Sequence, residues 1–222
     1  MKKKVILMLV VLSFIVVGCS KNTYCLDFKK EYESLNGETN KSGKAHRVLD
    51  IDEDNPYIKV DTSDILKRID NKETFYVYFG DKLCPWCRSV IEKSIEVAKE
   101  ANIDKIYYVA IWDSEGAEVV RDKYEFVDGN LTKTVEGNKD YQKLLEVFDE
   151  LLKEYTIKDS DGETHSTGEK RIYAPNYIYI EKGVPKKLIT GISEKQTDSR
   201  GELTEEILKD EEQQFKDFFD NK

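Results

Sequence analysis

Five consecutive aromatic or β-branched residues, Phe75-Tyr76-Val77-Tyr78-Phe79, run up to Gly80 and predict a buried strand. The period then changes. From Pro85 to about residue 101 the apolar positions Val90, Ile91, Ile95 and Ala98 follow the i, i+3, i+4 rule, which predicts a helix. Residues 105–111, with Ile106, Tyr107, Tyr108, Val109 and Ile111, predict a second strand. Ahead of this unit, Asp61-Thr62-Ser63-Asp64 reads as a helix start, and Ile65, Leu66 and Ile69 continue it to about residue 71. Residues 45–51 are a weaker strand candidate.

Beyond Trp112 the pattern fades into a long polar stretch, with turns at Asp128-Gly129-Asn130 and Glu136-Gly137-Asn138. Tyr141, Leu144, Leu145, Phe148, Leu151, Leu152 and Tyr155 then form the strongest apolar stripe in the chain and predict a helix over 141–155. After a turn at Asp159-Ser160-Asp161-Gly162, residues 177–180 and 187–189 predict two strands joined by a hairpin-length loop through Gly183. A last helix, from about 202 to 219, would bury Leu203, Ile207, Leu208, Phe215, Phe218 and Phe219. The order is β-α-β-α-β, a helical insert, then β-β-α. It predicts an α/β domain whose mixed sheet is covered by helices on both faces.

Composition narrows the function. The 222 residues suit one domain, and 13 Tyr with 9 Phe exclude a disordered chain. A net charge of −9 argues against nucleic acid as a partner, because such binding rests largely on neutralising phosphates. Four cysteines are too few for a disulfide scaffold of this length, and two histidines cannot supply a His-rich metal site.

The first twenty residues supply an address. Lys2, Lys3 and Lys4 precede an almost wholly apolar run from Val5 to Gly18, too short to span a bilayer but fitting an export signal. The run ends in Val16-Val17-Gly18-Cys19, which resembles the lipobox of bacterial lipoproteins. That resemblance implies a signal peptide over 1–18, cleavage before Cys19, and fatty acylation (palmitate-type chains) of Cys19. The protein would then be extracytoplasmic and lipid-anchored to the cell membrane, with the bilayer as a partner through Cys19. Residues 1–18 hold three lysines and no acids, so the remaining 204 residues carry 32 basic and 44 acidic side chains, net −12. Residues 19–45 read mainly as a tether, although Leu26, Phe28, Tyr32 and Leu35 could order part of it as a short helix. Cys25 falls here and reads as a spare thiol. The domain proper would occupy 46–222.

The chemistry lies in Cys84-Pro85-Trp86-Cys87, between the buried strand and its helix. A cysteine ahead of the first helical turn meets unpaired backbone N–H groups and the positive end of the helix dipole, and both favour thiolate. Proline suits the first helical position. Two intervening residues bring the sulfurs close enough to bridge, and Cys87, one turn in, should be the more buried. Arg88 adds positive charge nearby.

Strand, Cys-x-x-Cys, helix, strand, and a later proline opening a hairpin resemble the thioredoxin-like superfamily over about residues 57–220. Taken whole, the chain also resembles thioredoxin-like lipoproteins of low-GC Gram-positive bacteria, including those described as bacteriocin transport accessory proteins. The resemblance implies thiol–disulfide exchange, with Cys84 as attacking nucleophile and Cys87 as resolving thiol. It places Pro175 at the family's cis-proline, opposite the pair, and Ala174 beside it as the backbone contact. Pro85, Trp86, Ala174 and Pro175 would then bind substrate. No cofactor is implied. The expected partners are exported proteins or peptides carrying thiols or disulfides, and a membrane redox partner.

The chain departs from the family at two places. Many thioredoxins carry a buried Asp six residues before the first cysteine, where this chain has Tyr78; Asp113 is a weak substitute for its proton-handling role. The stretch over about 114–170 is longer than the single helix thioredoxins place there, so a helical insertion is expected between the second core strand and the cis-proline strand. Together these departures leave room for a second reading, a non-catalytic binding or accessory lipoprotein for an exported peptide or transporter. The cysteine pair also admits a zinc half-site or an inert structural disulfide. For zinc, only Cys25, His46 and His165 remain as further ligands, and they lack metal-like spacing.

Overall fold

The computed structural model describes residues 21–220. The expected signal peptide and Cys19 lie outside the described residues. Among the described residues no helix is long and apolar enough to cross a membrane.

In chain order the elements are α1 (Lys21–Glu33), β1 (Tyr57–Lys59), α2 (Thr62–Asp70), β2 (Phe75–Gly80), α3 (Pro85–Glu100) and β3 (Ile106–Ala110). There follow β4 (Lys123–Val127), β5 (Asn130–Val135), α4 (Lys139–Phe148), β6 (Lys153–Lys158) and β7 (Thr164–Arg171). The chain ends with β8 (Asn176–Glu181), β9 (Val184–Ile189) and α5 (Glu205–Phe219). Five strands form one sheet in the order β1-β3-β2-β8-β9. β1 and β2 run parallel to β3, whereas β8 is antiparallel to β2 and β9 to β8. The α/β class and the mixed sheet are therefore as expected.

Alternation along β2 sorts the core into two faces. Phe75, Val77 and Phe79 meet Ile65 of α2 and Tyr141, Leu144 and Phe148 of α4. Tyr78 points the other way, and the register sets it opposite Tyr108 and Tyr177. This second face is covered by Phe28 and Tyr32 of α1, Val90 and Ile91 of α3, and Phe215 and Phe218 of α5.

Three expectations need correction. Residues 45–51 form no strand. Ala45 makes only an isolated bridge with Thr39, and side chains replace a ladder: Asn36 bonds both backbone groups of Leu49, and Glu33 accepts from the Ile51 amide. The edge strand is β1 instead.

The stretch read mainly as a tether contains α1. Phe28 and Tyr32, four apart and so on one face, are buried, and Phe28 stacks on Tyr57 at 4.3 Å between ring centroids. The insertion, finally, is only partly helical. α4 ends at Phe148, a single 3-10 turn follows over Asp149–Leu151, and Leu152 is already extended. Leu152 and Tyr155 are buried all the same, reached from a turn and a strand, so their helical spacing did not report a helix. Two hairpins, β4–β5 and β6–β7, flank α4. Asp128 and Gly129 join the first of them with positive φ at both positions, the two-residue turn whose twist matches paired strands.

Candidate functional site around Cys84 and Cys87

β2 delivers the chain to a tight turn in which the Asp81 carbonyl accepts from the Cys84 amide at 3.2 Å, and the Asp81 carboxylate accepts from Leu83 N at 2.9 Å. Cys84 is extended and caps α3, and Pro85 takes the first turn. The Cys84 Sγ accepts the Cys87 amide at 3.3 Å, as a serine oxygen would at an N-cap. Both thiols are free, Cys84 nearly covered and Cys87 wholly so.

The two sulfurs are driven apart electrostatically. Burial works against a Cys84 thiolate. Hydrogen bonds from the Cys87 thiol and from the amides of Cys87 and Trp86 outweigh it, with help from Arg121, and hold the Cys84 thiol below its ordinary value. Burial, and then the neighbouring Cys84, push the Cys87 thiol well up.

Across from the pair, the Ala174–Pro175 peptide is cis, and the Ala174 carbonyl lies 3.6 Å from Cys84 Sγ. Asn176 holds this loop by accepting from Tyr173 N at 2.7 Å and donating to the Pro175 carbonyl at 3.0 Å. Pro175 is buried; Pro85, Trp86 and Ala174 are half-buried around Cys84. The structure thus brings Cys84, Cys87, Ala174 and Pro175 together from distant parts of the sequence.

The insertion is fastened to the same loop. Arg121 makes two bonds to Glu118, at 2.7 and 2.9 Å, and donates to the Ile172 carbonyl at 3.2 Å. Arg171 joins the same Glu118 at 3.3 Å, and the Trp112 indole donates to it at 3.1 Å. This buried network fixes a positive charge near Cys84, a contribution that the sequence pattern did not signal.

Beneath the pair lies the tyrosine face. Tyr78 packs in the same buried cluster as Cys87, and its hydroxyl stands 3.0 Å from the Tyr32 hydroxyl. The buried acid of the site is Asp81, not Asp113. Burial raises Asp81 to about 6, against the hydrogen bonds from Leu83 N and Trp112 N. Asp113 is exposed and closes its own turn by accepting from the amides of Glu115 and Ala117.

Cys25 is buried, donates to the Asn55 carbonyl at 2.8 Å, and borders a cavity with Ile103 and Lys105, at the end of β3 opposite the pair. Arg88 turns away from the sulfurs to bond the carbonyls of Tyr32 and Arg47, stapling α1 and the following loop onto α3. Among the described residues no cluster of three or more His, Cys, Asp or Glu could hold a metal ion.

An outer thiol held below its ordinary value and an inner thiol held above it, one helical turn apart, can attack a disulfide and then close on one another. No family model matches the chain, and no curated protein matches it.

Proposed function

We propose that this protein is a thioredoxin-like thiol–disulfide oxidoreductase, exported and anchored to the membrane through lipid on Cys19. One observation carries the reading: Cys84 caps α3 with its thiol held below its ordinary value, while Cys87, a turn deeper, is held above it. In the reducing direction the Cys84 thiolate attacks a substrate disulfide. A mixed disulfide forms and one substrate thiolate leaves, to be protonated by water. Cys87 then loses its proton and attacks Cys84 Sγ. The Cys84–Cys87 bond forms, the bond to substrate breaks, and the second substrate thiolate departs. Two electrons pass to the substrate, and a membrane dithiol partner restores the pair. Oxidation of substrate is the same path reversed.

The substrates are exported proteins or peptides. An extended segment would lie along the Ala174 carbonyl beside Pro175, against the half-buried faces of Pro85 and Trp86. Cys87→Ser should accumulate mixed disulfides through Cys84, and Cys84→Ser should accumulate none, read on non-reducing gels. Equal trapping by both variants would overturn the assignment of roles. For the anchor, Cys19→Ala should lose lipid labelling; retained labelling would overturn it.

A further inference from the structure

The redox reading leaves one chemical need unmet. Cys87 must shed a proton before it can attack, yet it is wholly buried, and burial holds its thiol well up. The strand position from which a carboxylate would serve is Tyr78. We infer that the Cys87 proton leaves along a wire of phenol hydroxyls, Tyr78, Tyr32 and Tyr108, that ends on the Glu31 carboxylate.

The links are on three different elements. Tyr78 of β2 packs with Cys87 in one buried cluster, and each influences the other's hold on its proton. Its hydroxyl stands 3.0 Å from that of Tyr32 on α1, whose ring meets that of Tyr108 on β3 edge-on at 5.9 Å between centroids. Tyr108 donates to Glu31 Oε1 at 3.2 Å. Glu31 pairs with Lys59 at 2.8 Å, and Lys59 is about half exposed, so the wire ends at solvent.

The order of donors and acceptors suits a single hop. Once Cys84 is tied up in the mixed disulfide, the Cys87 thiol no longer donates to it; in the wire it donates to Tyr78, Tyr78 to Tyr32, Tyr32 to Tyr108, and Tyr108 to the carboxylate. When each proton shifts one bond toward Glu31, every phenol still holds one proton. Cys87 is left a thiolate that accepts from Tyr78, and Glu31 is left a carboxylic acid that exchanges with water. No phenolate forms at any point. The strongly raised values that burial gives Tyr32, Tyr78 and Tyr108 therefore do not block the path, provided the shift is concerted.

Other groups sense the Cys87 charge without bonding it: Tyr57 of β1 and Tyr177 of β8 are bonded to one another, and Tyr57 to Ser94. Asp81, from the turn, is the competing acid among the described residues. Its carboxylate already holds two backbone amides. Of the wire's members, Tyr78 is the one beside the reacting sulfur; Tyr32, Tyr108 and Glu31 act through it.

The test separates the two thiol steps. The reduced full chain is mixed with equimolar dithiobis(nitrobenzoate) in stopped flow. The first thionitrobenzoate released reports attack by Cys84, and the second reports closure by Cys87. Release that persists in Cys84→Ser belongs to the other cysteines and is subtracted. Tyr78→Phe should slow the second release about ten-fold or more and leave the first unchanged, in line with the loss of positioned proton transfer. Glu31→Gln, at the far end, should slow the same phase about three-fold and give it a steeper rise with pH, because hydroxide must then take the proton. Tyr57→Phe, off the wire, should change neither phase. A second release within about two-fold of wild type in both Tyr78→Phe and Glu31→Gln would overturn the wire. So would a second release slowed by Asp81→Asn and untouched by Glu31→Gln. If the wild type itself gave no first release, the redox reading would fail instead, a result distinct from either.

Discussion

The two faces of the central sheet are built from the same strands but serve different ends. On one, Phe75, Val77, Phe79 and Ile178 meet Ile65, Leu144 and Phe148, and apolar side chains interlock with hardly a hydroxyl among them. On the other, Tyr57, Tyr78, Tyr108 and Tyr177 stand side by side, with Tyr78 stacked on Tyr177 at 4.6 Å and on Tyr108 at 5.5 Å between ring centroids. A phenylalanine at each position would keep nearly the same apolar area. The hydroxyls are what differ, and they lie directly under the cysteine pair. A dry face needs only shape. A phenolic face must also satisfy each buried oxygen, since leaving one unpaired costs roughly 1–3 kcal/mol. The chain concentrates that demand on the side of the cysteine pair, with Tyr141 the buried phenol of the dry face.

The dry face should therefore yield the largest stability effect and no redox effect. Phe148 is fully buried and meets Phe79 edge-on at 6.2 Å. Phe148→Ala should cost about 3–5 kcal/mol in denaturant unfolding, from lost transfer energy and the cavity left behind. Its two thionitrobenzoate phases should keep their ratio. A slowed second phase would show that the faces are not independent.

The covering of the phenolic face holds a lone carboxylate that sharpens the contrast in another way. Glu211 of α5 is buried, and neither oxygen has a hydrogen-bond partner among the described residues. Burial raises it to about 8, with Arg47 and Lys93 pulling it down and Asp210 pushing it up. The folded value lies above the unfolded one, so the native state binds the extra proton between them. That stability is full below about pH 4.5 and is lost as pH climbs toward 8. The loss should amount to roughly 2 kcal/mol after allowing for solvent screening. Glu211→Gln should flatten that slope in thermal melts from about pH 5 to 8. An unchanged slope would place the titration elsewhere.

Much of this was legible along the chain, and the rest was hidden for physical reasons. β2, α3 and β3 announced themselves because buried strands and amphipathic helices carry their period in consecutive residues. Cys84 and Cys87 were legible because a helix start is a local event, and the structure sets them there. The hairpins of the insertion escaped because their strands are short and mostly solvated. β5, for example, alternates exposed and half-buried residues with no buried one, so little hydrophobic signal marks it. The stripe over 141–155 misled for the opposite reason: Leu152 and Tyr155 are buried at helical spacing by a chain that has left the helix. Tyr32 was hidden most deeply. It sits in a polar segment whose value depends on docking against β1 and β3, and neither its contact with Tyr78 nor that of Glu31 with Tyr108 has any sequence-local signature.

The smallest predicted effect tests whether the phenolic face is one network or two. Tyr57 bonds Ser94 Oγ at 2.7 Å and Tyr177 at 3.2 Å, and its ring stacks on Phe28. Tyr57→Phe removes the oxygen and keeps the stack. Two neutral hydrogen bonds are lost, and the loss at Ser94 is partly compensated because Ser94 still has the Ile91 carbonyl at 2.7 Å. The expected cost is about 1 kcal/mol by denaturant unfolding with an unchanged m-value. If the hydroxyls divide into a structural trio at Tyr57, Ser94 and Tyr177 and a proton path at Tyr78, Tyr32 and Tyr108, this variant loses stability and keeps full closure by Cys87. A closure rate that fell along with stability would instead join all the hydroxyls into one network, in which the Cys87 proton has more than one way out.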